Sequence, residues 1–454
     1  MRPGRSSGAE TIVIIGAGPC GIACGRELIR LGHEDWVILE RAGRAGGLAS
    51  SVVDPAGFTW DLGGHVVFSH FGVFDALVAE AMGDELFRHE RSSYVRFDGR
   101  WVPYPFQNNL RYLPEEVTAE CLEGLAQAPG GSPGMDFATW MRSVFGPGIT
   151  RHFMAPYNFK VWATPPEQMA SHWIAERVSV IDYERALRNV QEGRDDVAWG
   201  PNNAFVFPAV GGTGEIYTRI AGRMDGRIRY RQEVVSVDAA RRRVRVATGD
   251  EQAYGSLVST APIDQLVELI EDCSGPIRAA ASKLRHNGVY MVGVGYEQPL
   301  ADEKSWSYFP QDHAPFYRAT NFAKYSPANV PGGDVSRYSA YMTETSFSPE
   351  KPVGREGLEH HVEEGLRAAG VVQGTPRVVS THVERIDYAY PVPTLERDGA
   401  LQTIQPWLAE RGIYSRGRFG SWRYEIGNMD HAVKMGVDIA RRLVLGQEEE
   451  LWPN

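Results

Sequence analysis

Cysteine is scarce in this sequence: four residues in 454 (Cys20, Cys24, Cys121, Cys273), none in a CxxC pair. That usage excludes a disulfide framework and a cysteine zinc site, and it fits a reducing compartment. No apolar run approaches the roughly 20 residues needed to cross a bilayer. The first ten residues, MRPGRSSGAE, are polar, and the apolar stretch behind them is broken by glycines, which argues against a secretory leader. Positive charge is not in excess either. Lys plus Arg number 47 against 57 Asp plus Glu, a formal net charge of −10, which disfavours broad binding to nucleic acid or to an anionic membrane. HExxH, P-loop and nucleophile-elbow motifs are all missing, His360-His361 lacks metal-ligand spacing, and Arg241-Arg242-Arg243 reads as a solvated turn. The expectation is a cytoplasmic globular protein that needs no metal and is open to forming a homo-oligomer.

What is present favours an α/β fold. The length gives a soft expectation of three domains, at about 150 residues each. Thr11–Ile15 reads as a buried strand, Ile22–Leu31 as a helix, and Trp36–Leu39 as a second strand ending in Glu40. Between the first two lies Gly16-Ala17-Gly18-Pro19-Cys20-Gly21. Glycines there allow a tight turn and close approach to a pyrophosphate, which sits on the helix N-terminus. Glu40, 24 positions after Gly16, is placed to accept hydrogen bonds from ribose hydroxyls. This is a dinucleotide-binding βαβ unit. Further along, Tyr94–Phe97 and Arg100–Val102 flank an Asp98-Gly99 hairpin turn. Helical patterns cover Glu115–Ala126, Phe137–Val144, Ile181–Gln191 and His431–Leu445, and β-rich runs include Val289–Gly295 and Arg337–Met342.

NAD and FAD compete for such a fold. The second basic, glycine-rich loop (Arg41, Gly46, Gly47 and Leu48 within it) resembles that of the amine-oxidase and protoporphyrinogen-oxidase flavoproteins. So do Leu257–Pro262 and the closing segment around Arg418, Asn428 and Met429. FAD is the cofactor this resemblance implies. Longer words narrow it: Gly63-Gly64-His65-Val66-Val67-Phe68-Ser69-His70, Trp101–Asn109, Pro156–Ala163, Trp199–Asn202, Phe316–Thr320 and Ser415–Glu425. In order and spacing these resemble the UDP-galactopyranose mutase family, in its eukaryotic-type branch, over nearly the whole chain.

The resemblance implies a reaction without net redox change. Reduced flavin attacks the anomeric carbon of a UDP-hexopyranose through N5 and displaces UDP, and the sugar recloses as the furanose. It also implies site roles. Arg177 and Arg318 match the diphosphate-binding arginines, whose guanidinium forks suit phosphate. Tyr308, Tyr325, Tyr390 and Tyr424 match the hydroxyl donors around them. Tyr104, Phe106, Gln107 and Asn158 match the uridine slot, and Trp162 and Asn202 face the sugar. His65 lies over the flavin and acts there through its backbone. Arg418 stands near the flavin rather than on the diphosphate. NAD(P)H is the implied external reductant, without a Rossmann domain of its own.

The implied architecture is an FAD-binding Rossmann-like domain (1–91, 204–284 and 376–454), an inserted helical domain (111–186) and an antiparallel β-sheet substrate domain (92–110, 187–203 and 285–375). Two positions depart from the pattern. Met429 stands where Gln is usual, and Val210 replaces a basic residue. UDP-galactopyranose is the first substrate expectation, and Met429 keeps another NDP-hexose, such as a 6-deoxy sugar, in view. The rival readings are an amine-oxidase-type oxidoreductase and a cofactor-free binding protein resembling the GDP-dissociation inhibitors.

Overall fold

The computed structural model describes residues 11–132, 134–174 and 177–452. The N-terminal decapeptide, on which the leader expectation rests, lies outside them. Ile12–Ile15 is the central strand of a five-stranded parallel sheet. Trp36–Glu40 and Ile228–Tyr230 lie to one side of it, Ser256–Ser259 and Ile413–Ser415 to the other. Its near-continuous Val/Ile/Leu strands are what a sheet covered on both faces requires. Ile12, Ile14 and Ile38 enter a core shared with the helices Pro19–Arg30 and Met429–Leu445. Val13, Ile15, Val37 and Leu39 point the other way, under the helices Ile263–Leu269 and Arg397–Ala409.

A second, seven-stranded sheet runs in the order Arg377–Val392, Arg285–Glu297, Ser339–Phe347, Arg318–Asn321, Trp306–Tyr308, Ser93–Phe97 and Arg100–Pro103. The hairpin at its end forms as expected. Asp98 and Gly99 both take positive φ, 45° and 75°, the backbone of a type I′ turn. The sheet is not wholly antiparallel, because Trp306–Tyr308 pairs parallel with Ser93–Phe97. The chain leaves the hairpin, builds two other regions and returns in the same direction, which only a long crossover allows.

Two expected boundaries shift. Residues 377–392 belong to this sheet and not to the FAD segment 376–454, since Arg377–Val392 is hydrogen-bonded along Arg285–Glu297. The division between 186 and 187 falls inside the helix Tyr183–Gln191, whose Ala186 packs in the core of the helical region. That region holds Glu115–Ala126 as expected. Phe137–Ile149 is broken at Gly146 (φ 70°, ψ 176°), close to the expected end at Val144, and beyond that kink the chain continues through a π-helical turn, Thr150–Met154, into the helix Ala155–Trp162. Asp136 caps it, its Oδ1 accepting from Thr139 N at 2.9 Å. Among the described residues no helix is long and apolar enough to cross a membrane.

Candidate active site

One cavity of about 1450 Å³ runs from the C-terminal ends of the parallel strands to the face of the second sheet. Pockets for single small ligands span roughly 300–1,000 Å³, so this one has room for a dinucleotide and a second ligand. Its first end is built as the sequence predicts. Gly18 is the N-cap of Pro19–Arg30 and has no side chain to cap with, leaving the first amides of that helix to a ligand. A Cβ at Gly21 would fall 1.9 Å from Gly16 O, so the turn closes only around glycine. Glu40 is 7% exposed. Its Oε2 accepts from Ala17 N and its Oε1 from Ala42 N, both at 2.7 Å, tying the first loop to the second while it faces the cavity. Gly46 N donates to Ala17 O at 2.9 Å, and Arg41, Gly47 and Leu48 continue the wall.

The last helix, Met429–Leu445, opens on the same cavity, and its N-cap Asn428 makes no side-chain cap. Two uncapped helix N-termini and a glycine cradle converge on one space. That donor set suits a pyrophosphate, and the site fits FAD.

At the other end three arginines, Arg177, Arg318 and Arg418, line the cavity, and one of them, Arg318, is paired with the carboxylate of Glu344. Arg318 donates through Nε to Glu344 Oε1 at 3.1 Å, and through Nη2 to the same oxygen, which leaves both Nη1 hydrogens for a ligand. Glu344 also accepts from Gly64 N at 2.7 Å and from the Tyr317 hydroxyl. Burial disfavours the Arg318 charge, but Glu344 beside it holds the pKa well above the ordinary value. Burial likewise opposes the Glu344 charge, and Arg318 outweighs it, so this carboxyl stays ionised. A Cβ at Gly64 would fall 2.7 Å from Thr320 Oγ1 and 3.1 Å from the Arg318 guanidinium carbon. The glycine lets the Gly63-Gly64-His65 loop lie directly on the arginine.

Arg177 donates through Nη1 to Asn428 Oδ1 at 2.9 Å and through Nη2 to Glu425 O at 2.8 Å. Its Nε is buried without a partner. Arg418 is held by the carbonyls of Ala389 and Gly427, and the Tyr424 ring has Arg177 at 5.3 Å and Arg418 at 5.8 Å. Burial raises the phenol pKa values of Tyr308 and Tyr390, the latter to about 12, so these hydroxyls are neutral donors at physiological pH.

Beyond the arginines the cavity wall is aromatic. Tyr104 and Tyr308 have centroids 4.9 Å apart, and Trp162 meets Tyr424 edge-on at 4.7 Å. Gln107 Nε2 donates to Ser179 O at 2.5 Å, while its Oε1 is buried and unpartnered. Asn158 Nδ2 donates to Met154 O at 2.8 Å, and Asn202 Oδ1 accepts from Arg91 Nη1 at 2.8 Å. His65 is half-buried, its Nδ1 atom is buried and unpartnered, and the desolvation of the ring pushes its pKa down to about 4. The imidazole is neutral and, among the described residues, Nδ1 has no hydrogen-bond partner.

Four expected site residues do not reach the cavity wall: Gly21 and Gly46, which shape its glycine loops, and Phe106 and Tyr325. Phe106 is fully buried and stacks on Phe153 at 4.8 Å; Phe153 takes the wall position in its place. Tyr325 is 1% exposed, its ring packed among Phe205, Phe207 and Phe322. Val210, one of the two departures, is exposed and away from the cavity, whereas Met429 lines it. Sequence reasoning missed Glu344 and Tyr317. A charged residue inside the nine-residue buried strand Ser339–Phe347 is itself a signal, because lone carboxylates are rarely buried. It also missed Asp430, which takes both backbone amides and both Nδ1 atoms of His70 and His431. These three residues have the chemistry of metal ligands. With four protein donors on its two oxygens, the carboxylate works as a latch between the His65 loop and the last helix.

Residues 19–444 match the family of flavin-containing amine oxidoreductases. The crystal structure of reduced UDP-galactopyranose mutase superposes with a TM-score of 0.93 at 40% identity, over 96% of each chain. The chain belongs to the UDP-galactopyranose mutase family. It is therefore a flavoenzyme of the isomerase class, which sets aside the cofactor-free reading. A CLA-producing fatty acid isomerase from P. acnes aligns at 15% identity (TM-score 0.66, 95% of this chain and 98% of that one), sharing the fold alone. A putrescine oxidase variant does the same at 13% identity (TM-score 0.65, 96% and 99%).

Proposed function

We propose that the protein interconverts UDP-galactopyranose and UDP-galactofuranose. The observation that carries this reading is the joining, in one cavity, of an FAD cradle to an arginine and tyrosine cluster with an aromatic slot beyond it. When bound and reduced, FAD supplies a nucleophilic N5 for attack at the anomeric carbon. Arg318, through Nη1, and Arg177, through Nε, hold the diphosphate before, during and after its departure. Glu344 keeps the Arg318 fork in one orientation, and because it is already paired it repels the dianion less. Tyr308, Tyr390 and Tyr424 complete the cradle with neutral hydroxyls, so UDP is held without being trapped and can return to the reclosed sugar. Tyr104 gives the uracil a stacking face, and Gln107 Oε1 accepts its imide hydrogen. Asn158, Trp162 and Asn202 bound the nucleoside and sugar. The neutral His65 imidazole takes no proton in this scheme.

Oxygen-free incubation of the protein with UDP-galactofuranose, after reduction by dithionite or NADPH, is expected to give UDP-galactopyranose by chromatography, with the oxidised protein inactive. Equal turnover by oxidised protein would contradict nucleophilic catalysis by reduced flavin. Exchange of another NDP-hexose but neither galactose isomer would change the sugar, with Met429 the first residue to examine.

A further inference from the structure

Behind the cavity, an ionic cluster around one buried guanidinium joins two segments that carry site residues. Arg397 opens the Arg397–Ala409 helix and is 1% exposed. Its Nη1 donates to Glu425 Oε2 at 2.8 Å and its Nη2 to Glu425 Oε1 at 3.0 Å, the two-point geometry that only a guanidinium provides. Its Nε donates to Asp398 Oδ1 at 2.9 Å, and His172 Nε2 stands 2.6 Å from Nη2. None of these four residues lines the cavity. Glu425 sits beside Tyr424 in the turn that leads to Asn428, and that turn supplies both acceptors of Arg177. His172 precedes Trp173 on the segment ending at Arg177. One guanidinium thus touches the turn that receives Arg177 and the segment that presents it.

We propose that Arg397 and Glu425 are positioning residues of the site, acting through Arg177. Replacing an ion pair in the protein interior with apolar residues is often neutral for stability, and Glu425 is still 23% exposed, so stability alone does not account for this pair. Geometry does. Among the described residues Arg177 is held by uncharged acceptors, an amide oxygen and a backbone carbonyl, which leaves its charge for an anionic ligand. A carboxylate on the same turn would compete for that charge. Arg397 occupies both oxygens of Glu425, fixing the turn and keeping the carboxylate away from Arg177.

The inference rests on the proposal that Arg177 binds the diphosphate, and a mutant cycle separates the two. The dissociation constant of UDP is measured by tryptophan fluorescence on FAD-loaded protein. The forms compared are the wild type, Arg177→Ala, the double variant Arg397→Met with Glu425→Gln, and the triple variant. Arg177→Ala and the double variant should each weaken UDP about tenfold, and the triple variant should lie within about twofold of the weaker of them, because contacts in one network do not add. The positioning role is overturned by wild-type affinity in the double variant, or by losses that multiply in the triple. An Arg177→Ala variant with wild-type affinity would instead overturn the diphosphate assignment. Should the double variant not fold, Arg397→Lys replaces it in the same cycle, keeping the charge and losing the fork. Wild-type affinity there overturns the proposal equally.

Discussion

Gln107 shows how far single residues could be read. The Trp101–Asn109 word placed it in a uridine slot, and the structure brings it to the cavity with Oε1 buried and unpartnered. An acceptor in that state costs about 1–3 kcal/mol until something donates to it. Gln107→Ala should therefore raise the dissociation constant of UDP about tenfold while leaving flavin content unchanged, as read by fluorescence titration and the flavin absorbance of the purified protein. Phe106, one position earlier, failed for a physical reason. Aromatic residues in one short word look alike in sequence, and whether a ring faces a ligand or a core is set by its partner, here Phe153, nearly 50 residues away. Glu344 was illegible for a related reason. Its role depends on Arg318 lying on the neighbouring strand, and that register is a property of the sheet.

At the scale of elements, period and caps carried most of the information. The glycine hexad, the I′ hairpin and the helix Glu115–Ala126 follow from local residue chemistry, so they were readable. The strand Arg377–Val392 was not, because it is mostly half-buried and lacks the apolar alternation that announces a sheet face. Pairs of elements also hold charge the sequence does not reveal. Asp61, on the strand Thr59–Asp61, is fully buried and accepts from Ser51 Oγ at 2.5 Å and Thr213 Oγ1 at 2.6 Å. It fastens that strand to the start of the helix Gly214–Ala221. Burial pushes its pKa up to about 7. Between the ordinary carboxylate value, about 4, and about 7, the folded state binds more protons than the unfolded one, so stability falls as pH rises through that window. Asp61→Asn should flatten the decline, measured as the urea midpoint at intervals between pH 4 and pH 8.

Across the whole molecule, the cavity is bounded by the parallel sheet, the helical region and the seven-stranded sheet together, so a ligand there reports on all three. FAD added to flavin-depleted protein at about 100 times its dissociation constant should contribute roughly 2.7 kcal/mol. In a chain of this size that raises the melting temperature by about 3 °C, in one calorimetric transition; separate transitions would mean the regions melt independently. The family was legible because its long words sit at the contacts between these regions, and the sheet topology was not, because no word records which strands meet. That topology has a consequence for how the chain is made. The strand Ile12–Ile15 finds Trp36–Glu40 early on one side, but its other edge must wait for residues 256–259, whose own outer neighbour is residues 413–415. The hairpin at 93–103 waits for residues 306–308. A nascent chain therefore emerges with one edge of each of these early strand pairs open for most of translation. Contacts this distant in sequence form slowly, and exposed edges invite aggregation. Low growth temperature and available chaperones should govern how much native protein a cell yields, more than the final stability of the fold.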